Sequence, residues 1–97
     1  MPADVAFHPD AEDELRAAYV WYHDHNPLVA VSFRSEAEHA IEVVAEQPSR
    51  WPVFFGSIRR YVFPRFPFTL IYRGDSKQVQ IIAVAHQKRR PQYWKQR

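Results

Sequence analysis

The stretch EQPSRWP, residues 46–52, divides the chain into two parts with different patterns. Before it, apolar residues recur mainly at helical spacing. After it, β-branched and aromatic residues come in short runs bounded by turn residues. Pro48 disfavours the helical conformation in the residue before it, so a helix is expected to end near Gln47. Pro52 lacks a backbone donor, so residues 49–57 are predicted to form a loop or a short edge strand.

Two helices are predicted before this boundary, over residues 9–24 and 27–47. Each begins with the same signal, a capping residue (His8 or Asn26) followed by proline at the first helical position. The apolar stripes are Ala11, Leu15, Ala18 and Tyr22 in the first helix and Phe33, Ala37, Ala40 and Val44 in the second. The acids assigned to the water side of the second helix are Glu36, Glu38, Glu42 and Glu46. The very short connection predicts an αα-hairpin.

Strands are predicted over residues 5–7, 58–64, 66–73 and 78–86. In the last run, one face is expected to carry Val79, Ile81, Ala83 and Ala85, and the other Ile82 and Val84. A run that is apolar on both faces predicts a central strand, covered by the helices on at least one side. The order β-α-α-β-β-β predicts a single α+β domain over residues 1–97.

Charge separates the two halves of the chain. Residues 1–49 hold ten acids and two arginines, a balance of −8, whereas residues 50–97 hold eleven Lys/Arg and one acid, a balance of +10; the sum is +2. The basic half ends in HQKRRPQYW, residues 86–94, which favours a polyanion or an acidic protein as partner.

Several classes of protein and site are disfavoured. The chain has no cysteine, which excludes disulfides and thiolate chemistry and suits the cytoplasm. No apolar stretch approaches the ~20 residues of a membrane span, and the start lacks the pattern of a signal peptide. His23 and His25 flank Asp24, but residues two apart do not share a helix face, so no metal site is expected. With only Gly56 and Gly74 there is no glycine-rich phosphate loop, and no cofactor is expected.

Several segments, in their order and spacing, resemble the RelE/ParE toxin superfamily of bacterial type II toxin–antitoxin systems, which are linked to growth inhibition and plasmid stabilisation. The segments are Phe7–Leu15 leading to Trp21-Tyr22, the helix end Glu46-Gln47-Pro48, Arg59-Arg60, Phe66–Tyr72, and Ile82–His86 with Arg89, Pro91, Tyr93 and Trp94. The resemblance spans almost the whole chain. It implies a small, mainly antiparallel sheet packed on the αα-hairpin. It also implies a cognate acidic antitoxin that wraps and neutralises the toxin in a hetero-oligomer.

The resemblance leaves two targets open. ParE-like members inhibit DNA gyrase, whereas RelE-like members cleave mRNA in the ribosomal A site. His86 followed by Arg89 and Pro91 is more ParE-like, and residues 49–57 lack the lysine that RelE-like nucleases often place there. Gyrase is therefore favoured. The alternatives are a ribosome-dependent, metal-independent mRNA endonuclease and a non-toxic relic or binding module.

Two sets of site residues follow. A nuclease would use His86, Arg60, Arg89 and Tyr93, since histidine titrates near neutrality, arginine holds phosphate, and tyrosine stacks on a base or donates a proton. The residues predicted to bind the target are Arg59, Arg65, Lys88, Arg90, Trp94 and Lys95.

Each of these residues also has a structural interpretation. His86 can be a strand-end histidine satisfied by backbone and tail, and Arg59 and Arg60 can lie on a solvated sheet face. The tail cations can dock the antitoxin or simply solubilise the chain. The aromatics interpreted as packing residues are Tyr93 and Trp94 in the tail and Tyr19, Trp21 and Tyr22 in the first helix. Trp51 can anchor its loop or contact a partner.

Overall fold

The computed structural model describes residues 1–97 and confirms the predicted α+β class. The elements are β1 (Asp4–Phe7), α1 (Pro9–His25), α2 (Pro27–Glu46), a short 3₁₀ turn (Pro48–Arg50), β2 (Val53–Phe55), β3 (Ile58–Val62), β4 (Phe68–Gly74) and β5 (Gln78–His86). No helix is both long and apolar enough to cross a bilayer.

One five-stranded sheet has the order β1-β5-β4-β3-β2. β1 pairs with β5 in parallel, and every other pair is antiparallel. β5 therefore lies inside the sheet, as its two apolar faces predicted. β2 is a three-residue strand at the edge of the sheet, so of the two alternatives expected for residues 49–57, a loop or a short edge strand, the structure has the strand.

The predicted caps set the boundaries of the helical hairpin. His8 Nδ1 accepts a hydrogen bond from the amide of Asp10 at 3.1 Å, and Asn26 Oδ1 accepts one from the amide of Leu28 at 3.0 Å. The amide of Asn26 also donates to the carbonyl of Tyr22 at 2.7 Å. One residue thus ends α1 and starts α2, which gives the tight αα-hairpin.

A bulge in β5 corrects the predicted faces of this strand. Ile71 pairs with Ala83 and Tyr72 pairs with Ile81, so Ile82 has no partner in β4. An extra residue reverses the alternation beyond it. Val84 therefore joins the core beneath the helices, and Ala83 lies on the opposite face with Ile82.

One assignment in the second helix was wrong: Glu36, which was predicted to face water, is only 6% exposed. Its Oε2 accepts from the amides of Arg65 and Phe66 at 2.9 and 3.0 Å, and its Oε1 accepts from Arg65 Nε at 2.9 Å. Burial alone would raise the pKa of Glu36, but these hydrogen bonds outweigh it and hold the pKa below its ordinary value. Because Glu36 binds the amides of Arg65 and Phe66, these two residues lie in a loop, and β4 begins at Phe68 rather than at Phe66.

Candidate functional site

The C-terminal segment, residues 87–97, packs against the sheet through Trp94. Trp94 is 3% exposed and belongs to an apolar cluster with Ile58, Ile71, Ile82 and Ala83. Phe54 and Phe55 meet its ring edge-on, at centroid distances of 5.7 and 5.9 Å. The packing interpretation of Trp94 is confirmed. Trp94 was also expected to contact the target, which would need an exposed indole. That expectation is wrong, because the ring is buried against β2.

Beside this segment lies a shallow cleft of about 370 Å³, which we call the basic cleft. Its charged and titratable lining is Arg60, His86, Arg89, Arg90 and Tyr93. The structure therefore brings together all four residues expected of a nuclease, and adds Arg90 from the target-binding set. Arg60 is exposed, with its guanidinium 4.9 Å from the centroid of Phe54.

Tyr93 is held inside a cluster of charges. Its hydroxyl donates to Glu14 Oε2 at 2.6 Å, and its ring centroid lies 4.0 Å from the guanidinium carbon of Arg89 and 5.0 Å from that of Arg97. Burial raises the pKa of Tyr93, and the hydrogen bond to Glu14 raises it further. The phenol therefore keeps its proton at neutral pH and directs it to Glu14.

His86 is also engaged by its surroundings. Its ring packs edge-on against Phe68 at a centroid distance of 5.0 Å, and its Nδ1 accepts from the amide of Lys88 at 3.0 Å. A nitrogen that accepts from an amide carries no proton, so neutral His86 carries its proton on Nε2. Nε2 then offers a donor rather than a base to the cleft. This geometry agrees with a histidine satisfied by backbone and tail.

Four of the six residues of the predicted target-binding set lie outside the lining of the basic cleft: Arg59, Arg65, Lys88 and Lys95. Arg59 donates to the carbonyls of Ser49, at 3.3 Å, and of Trp51, and so holds the loop before β2. Trp51 packs edge-on against Tyr61 at 5.1 Å, which makes it a loop anchor. Arg65 pairs with Glu36 beneath α2. The structure thus places Arg59 and Arg65 apart from the basic cleft, and their role in target binding stays a prediction.

The other predicted cations lie on the C-terminal segment. Lys88 and Arg90 are exposed, and Lys95 is exposed with its Nζ 4.8 Å from the centroid of Phe55. These three cations and Arg60 form no ion pair within the protein. They are available to a partner of opposite charge.

Sequence reasoning missed Glu14 and Arg97. Glu14 is 14% exposed and accepts from the Val84 amide at 3.0 Å and from the two terminal nitrogens of Arg97 at 2.9 and 3.1 Å. The signal that marks Glu14 is its spacing, three residues after Ala11 and four before Ala18, on the apolar stripe of α1. Glu36 has the same signal, three residues after Phe33 and four before Ala40.

A second groove, of about 560 Å³, lies between α1 and the end of the sheet. Tyr22 packs in its floor against Phe33, with ring centroids 5.2 Å apart. Trp21 is 57% exposed and stacks on His25 at 3.9 Å. The interpretation of these aromatics as core or helix-face packing is thus confirmed, with Tyr22 packed against the core and Trp21 on the face of its own helix.

These features define a class of small α+β protein in which an αα-hairpin covers one face of a sheet and a basic C-terminal segment covers the other. Residues 5–91 match the family model described as the ParE toxin of the type II toxin–antitoxin system parDE. The chain therefore belongs to the ParE toxin family, and the resemblance found in its sequence is confirmed.

A solved structure from the chromosomal ParDE toxin–antitoxin system of P. aeruginosa has a similar fold. The TM-score is 0.74 at 18% identity, and the alignment covers 87% of this chain and 95% of that one. At this identity the likeness shows the fold. No curated protein matches the sequence.

Proposed function

We propose that this chain is the toxin of a type II toxin–antitoxin pair and that it inhibits bacterial growth, when free of its antitoxin, by binding DNA gyrase. The binding surface is the basic cleft together with the exposed cations of residues 88–95. One observation carries the proposal: the cleft presents unpaired cations, whereas its two proton-transfer candidates are engaged within the protein. The Tyr93 phenol donates to Glu14, and His86 Nδ1 accepts from Lys88.

Charge explains how such a surface finds its target. Arg60, Lys88, Arg90 and Lys95 are exposed and unpaired, so their field reaches into solvent. Surfaces of one sign speed association with oppositely charged partners, and added salt weakens that effect. Inhibition of gyrase is therefore expected to weaken as ionic strength rises.

The same argument describes the antitoxin. A short acidic segment that folds on the toxin can cover much of a small protein and place carboxylates against these cations. Because such a segment binds only the folded toxin, its presence raises the apparent melting temperature of the toxin. A toxin–antitoxin hetero-oligomer is the form expected in the cell.

One observation favours the ribosome-dependent nuclease as the second candidate. Arg60, His86 and Arg89 line one cleft, and a cleft of that kind can hold a phosphate between cations beside a titratable imidazole. The position of the His86 proton disfavours the nuclease, because a general base that takes a proton through Nε2 needs that nitrogen unprotonated.

One experiment separates the candidates. The purified protein is assayed for inhibition of supercoiling by gyrase and for cleavage of mRNA on ribosomes. We expect blocked supercoiling and intact mRNA. The Arg60→Ala/Arg90→Ala variant should lose inhibition. Arg34→Ala/Arg73→Ala, which removes the same charge away from the cleft, should retain it.

Cleaved mRNA with normal supercoiling would overturn the gyrase proposal in favour of the nuclease. Neither effect, together with normal growth on expression, would support a non-toxic relic.

A further inference from the structure

We infer that Glu14 is a positioning residue for the target-binding surface: it fixes the C-terminal segment against β5 and so holds Arg89 at the edge of the basic cleft. This inference rests on the proposed function of that cleft. The group formed by Glu14, the Val84 amide, Tyr93 and Arg97 is called the Glu14 cluster below.

The Glu14 cluster closes an open edge of the sheet. β1 pairs with β5 only as far as Phe7 opposite Ile81, so the next residues of β5 have no strand beside them on that edge. There the amide of Val84 donates to Glu14 Oε1 at 3.0 Å, and the carbonyl of Ile82 accepts from Arg97 at 3.1 Å. Two side chains thus satisfy backbone groups that a longer β1 would have bonded.

The same cluster also offsets repulsion within the C-terminal segment. Residues 88–97 carry five lysines and arginines and no acid. Glu14 is the acid that meets two of them, Arg97 at 2.9 Å and Arg89 at 3.9 Å, and Asp10 adds a contact to Arg97 at 3.6 Å. Because Asp10 is exposed while Glu14 and Arg97 are each 14% exposed, the Glu14 contact is the better shielded from solvent.

The position of Arg89 follows from this cluster. Glu14 fixes the Tyr93 ring through its hydroxyl, and the Arg89 guanidinium lies over that ring at 4.0 Å. The Arg89 side chain remains 55% exposed, which leaves it accessible to a target. Glu14 therefore sets where a binding residue points while being itself largely shielded from solvent.

Glu14→Gln tests the inference, with Glu12→Gln as the matched control. Glu12 is on the same helix and changes the net charge equally, but it pairs with Arg16 and not with the C-terminal segment. Glutamine at position 14 still offers an oxygen to the Val84 amide, so the fold is expected to remain. We expect hydrogen exchange at residues 89–97 to accelerate at least about tenfold in Glu14→Gln, with exchange in the β4–β5 ladder unchanged.

In the supercoiling assay, the toxin concentration for half inhibition should rise about tenfold in Glu14→Gln and stay unchanged in Glu12→Gln. Arg97→Gln should have the same two effects, and the loss in the double variant should be smaller than the sum of the two single losses, because the two side chains share one ion pair. Ile41→Ala controls for stability: it lowers the melting temperature from the distant helix α2 and should not weaken inhibition at temperatures where it is folded.

Unchanged exchange in residues 89–97 of Glu14→Gln overturns the inference. So does accelerated exchange with undiminished gyrase inhibition. If the wild-type protein leaves supercoiling untouched, the gyrase proposal fails. The coupling of Glu14 to Arg97 in the exchange measurement, which needs no gyrase, then still decides whether Glu14 orders the C-terminal segment.

Discussion

The guanidinium of Arg97 donates two hydrogen bonds to the carboxylate of Glu14, at 2.9 and 3.1 Å, across 83 residues of sequence. The hydrogen bond to Glu14 raises the pKa of Arg97, so this pair does not lose its positive partner on mild alkalinisation. With Trp94 buried three residues earlier, the contact makes the C-terminal segment a part of the fold. Charges on that segment are therefore presented in fixed positions, as a selective binding surface requires.

Trp94→Ala should destabilise the protein by about 3–5 kcal/mol, the usual cost of removing a large aromatic ring from a packed core. The ring contacts the apolar cluster on the face of the sheet opposite the helices. Urea unfolding followed by circular dichroism measures the loss. Lys88→Ala serves as control and should change stability by less than about 0.5 kcal/mol, since Lys88 is exposed. Equal stability of Trp94→Ala and wild type would show that the ring is not packed in solution.

Glu36→Ala should cost about 2–3 kcal/mol of unfolding free energy, because it leaves the amides of Arg65 and Phe66 without their acceptor. Arg65→Ala should cost less than about 1 kcal/mol, because its side chain is 69% exposed and the ion pair is screened by solvent. Urea midpoints of both variants test the order. A larger loss from Arg65→Ala would mean that the ion pair, and not the backbone hydrogen bonds, fixes the loop before β4.

The contribution of Glu36 should disappear in acid. Its pKa is lower in the folded protein than the ordinary value of 4.5, so folding favours the ionised form. The stabilisation is fully present above the unfolded-state pKa and is lost as the pH falls through the folded-state pKa. The difference in unfolding free energy between wild type and Glu36→Gln should therefore be constant near neutrality and shrink below pH 4.5. A difference that persists unchanged well below that pH would contradict the assigned hydrogen bonds.

Tyr72→Phe should cost about 1–2 kcal/mol, because the Tyr72 hydroxyl donates to the carbonyl of Pro48 at 2.6 Å in a fully buried site. Burial raises the pKa of Tyr72, in agreement with a phenol that is kept protonated by its surroundings. Tyr61→Phe is the matched control, because the Tyr61 hydroxyl makes no hydrogen bond within the protein, and it should be nearly neutral. Thermal unfolding of the pair decides whether this contact fastens the segment after α2 to the sheet.

Local signals in the sequence were enough for the elements and their order. Proline after His8 and after Asn26 set both helix starts, and Pro48 set the end of the second helix, because proline acts on the backbone of its immediate neighbours. The apolar character of residues 78–86 on both faces placed that strand inside the sheet. The bulge at Ile82 was not predicted, since the extra residue depends on how β5 pairs with β4 and leaves no local mark.

The candidate site was predicted in part. The cations on the last strands and on the C-terminal segment were found from composition, because charge is a property of each residue by itself. Their grouping was not: Arg60, His86 and Arg89 meet in one cleft, whereas Arg59 is bound to loop carbonyls and Arg65 to Glu36. Which cations are free depends on which acids and carbonyls the fold brings beside them.

The sequence by itself determined the α+β class, the helical hairpin, the opposite charges of the two halves and the family, because these follow from local backbone preferences, periodicity and motif order. Only the tertiary structure decided that Glu36 is buried and Glu14 half-buried, two acids on apolar stripes that accept hydrogen bonds from distant partners. It also decided that Trp94 lies inside and that Arg97 joins α1. Those outcomes depend on contacts between residues far apart in the chain, where burial is possible only if a complementary donor or an apolar cavity is present.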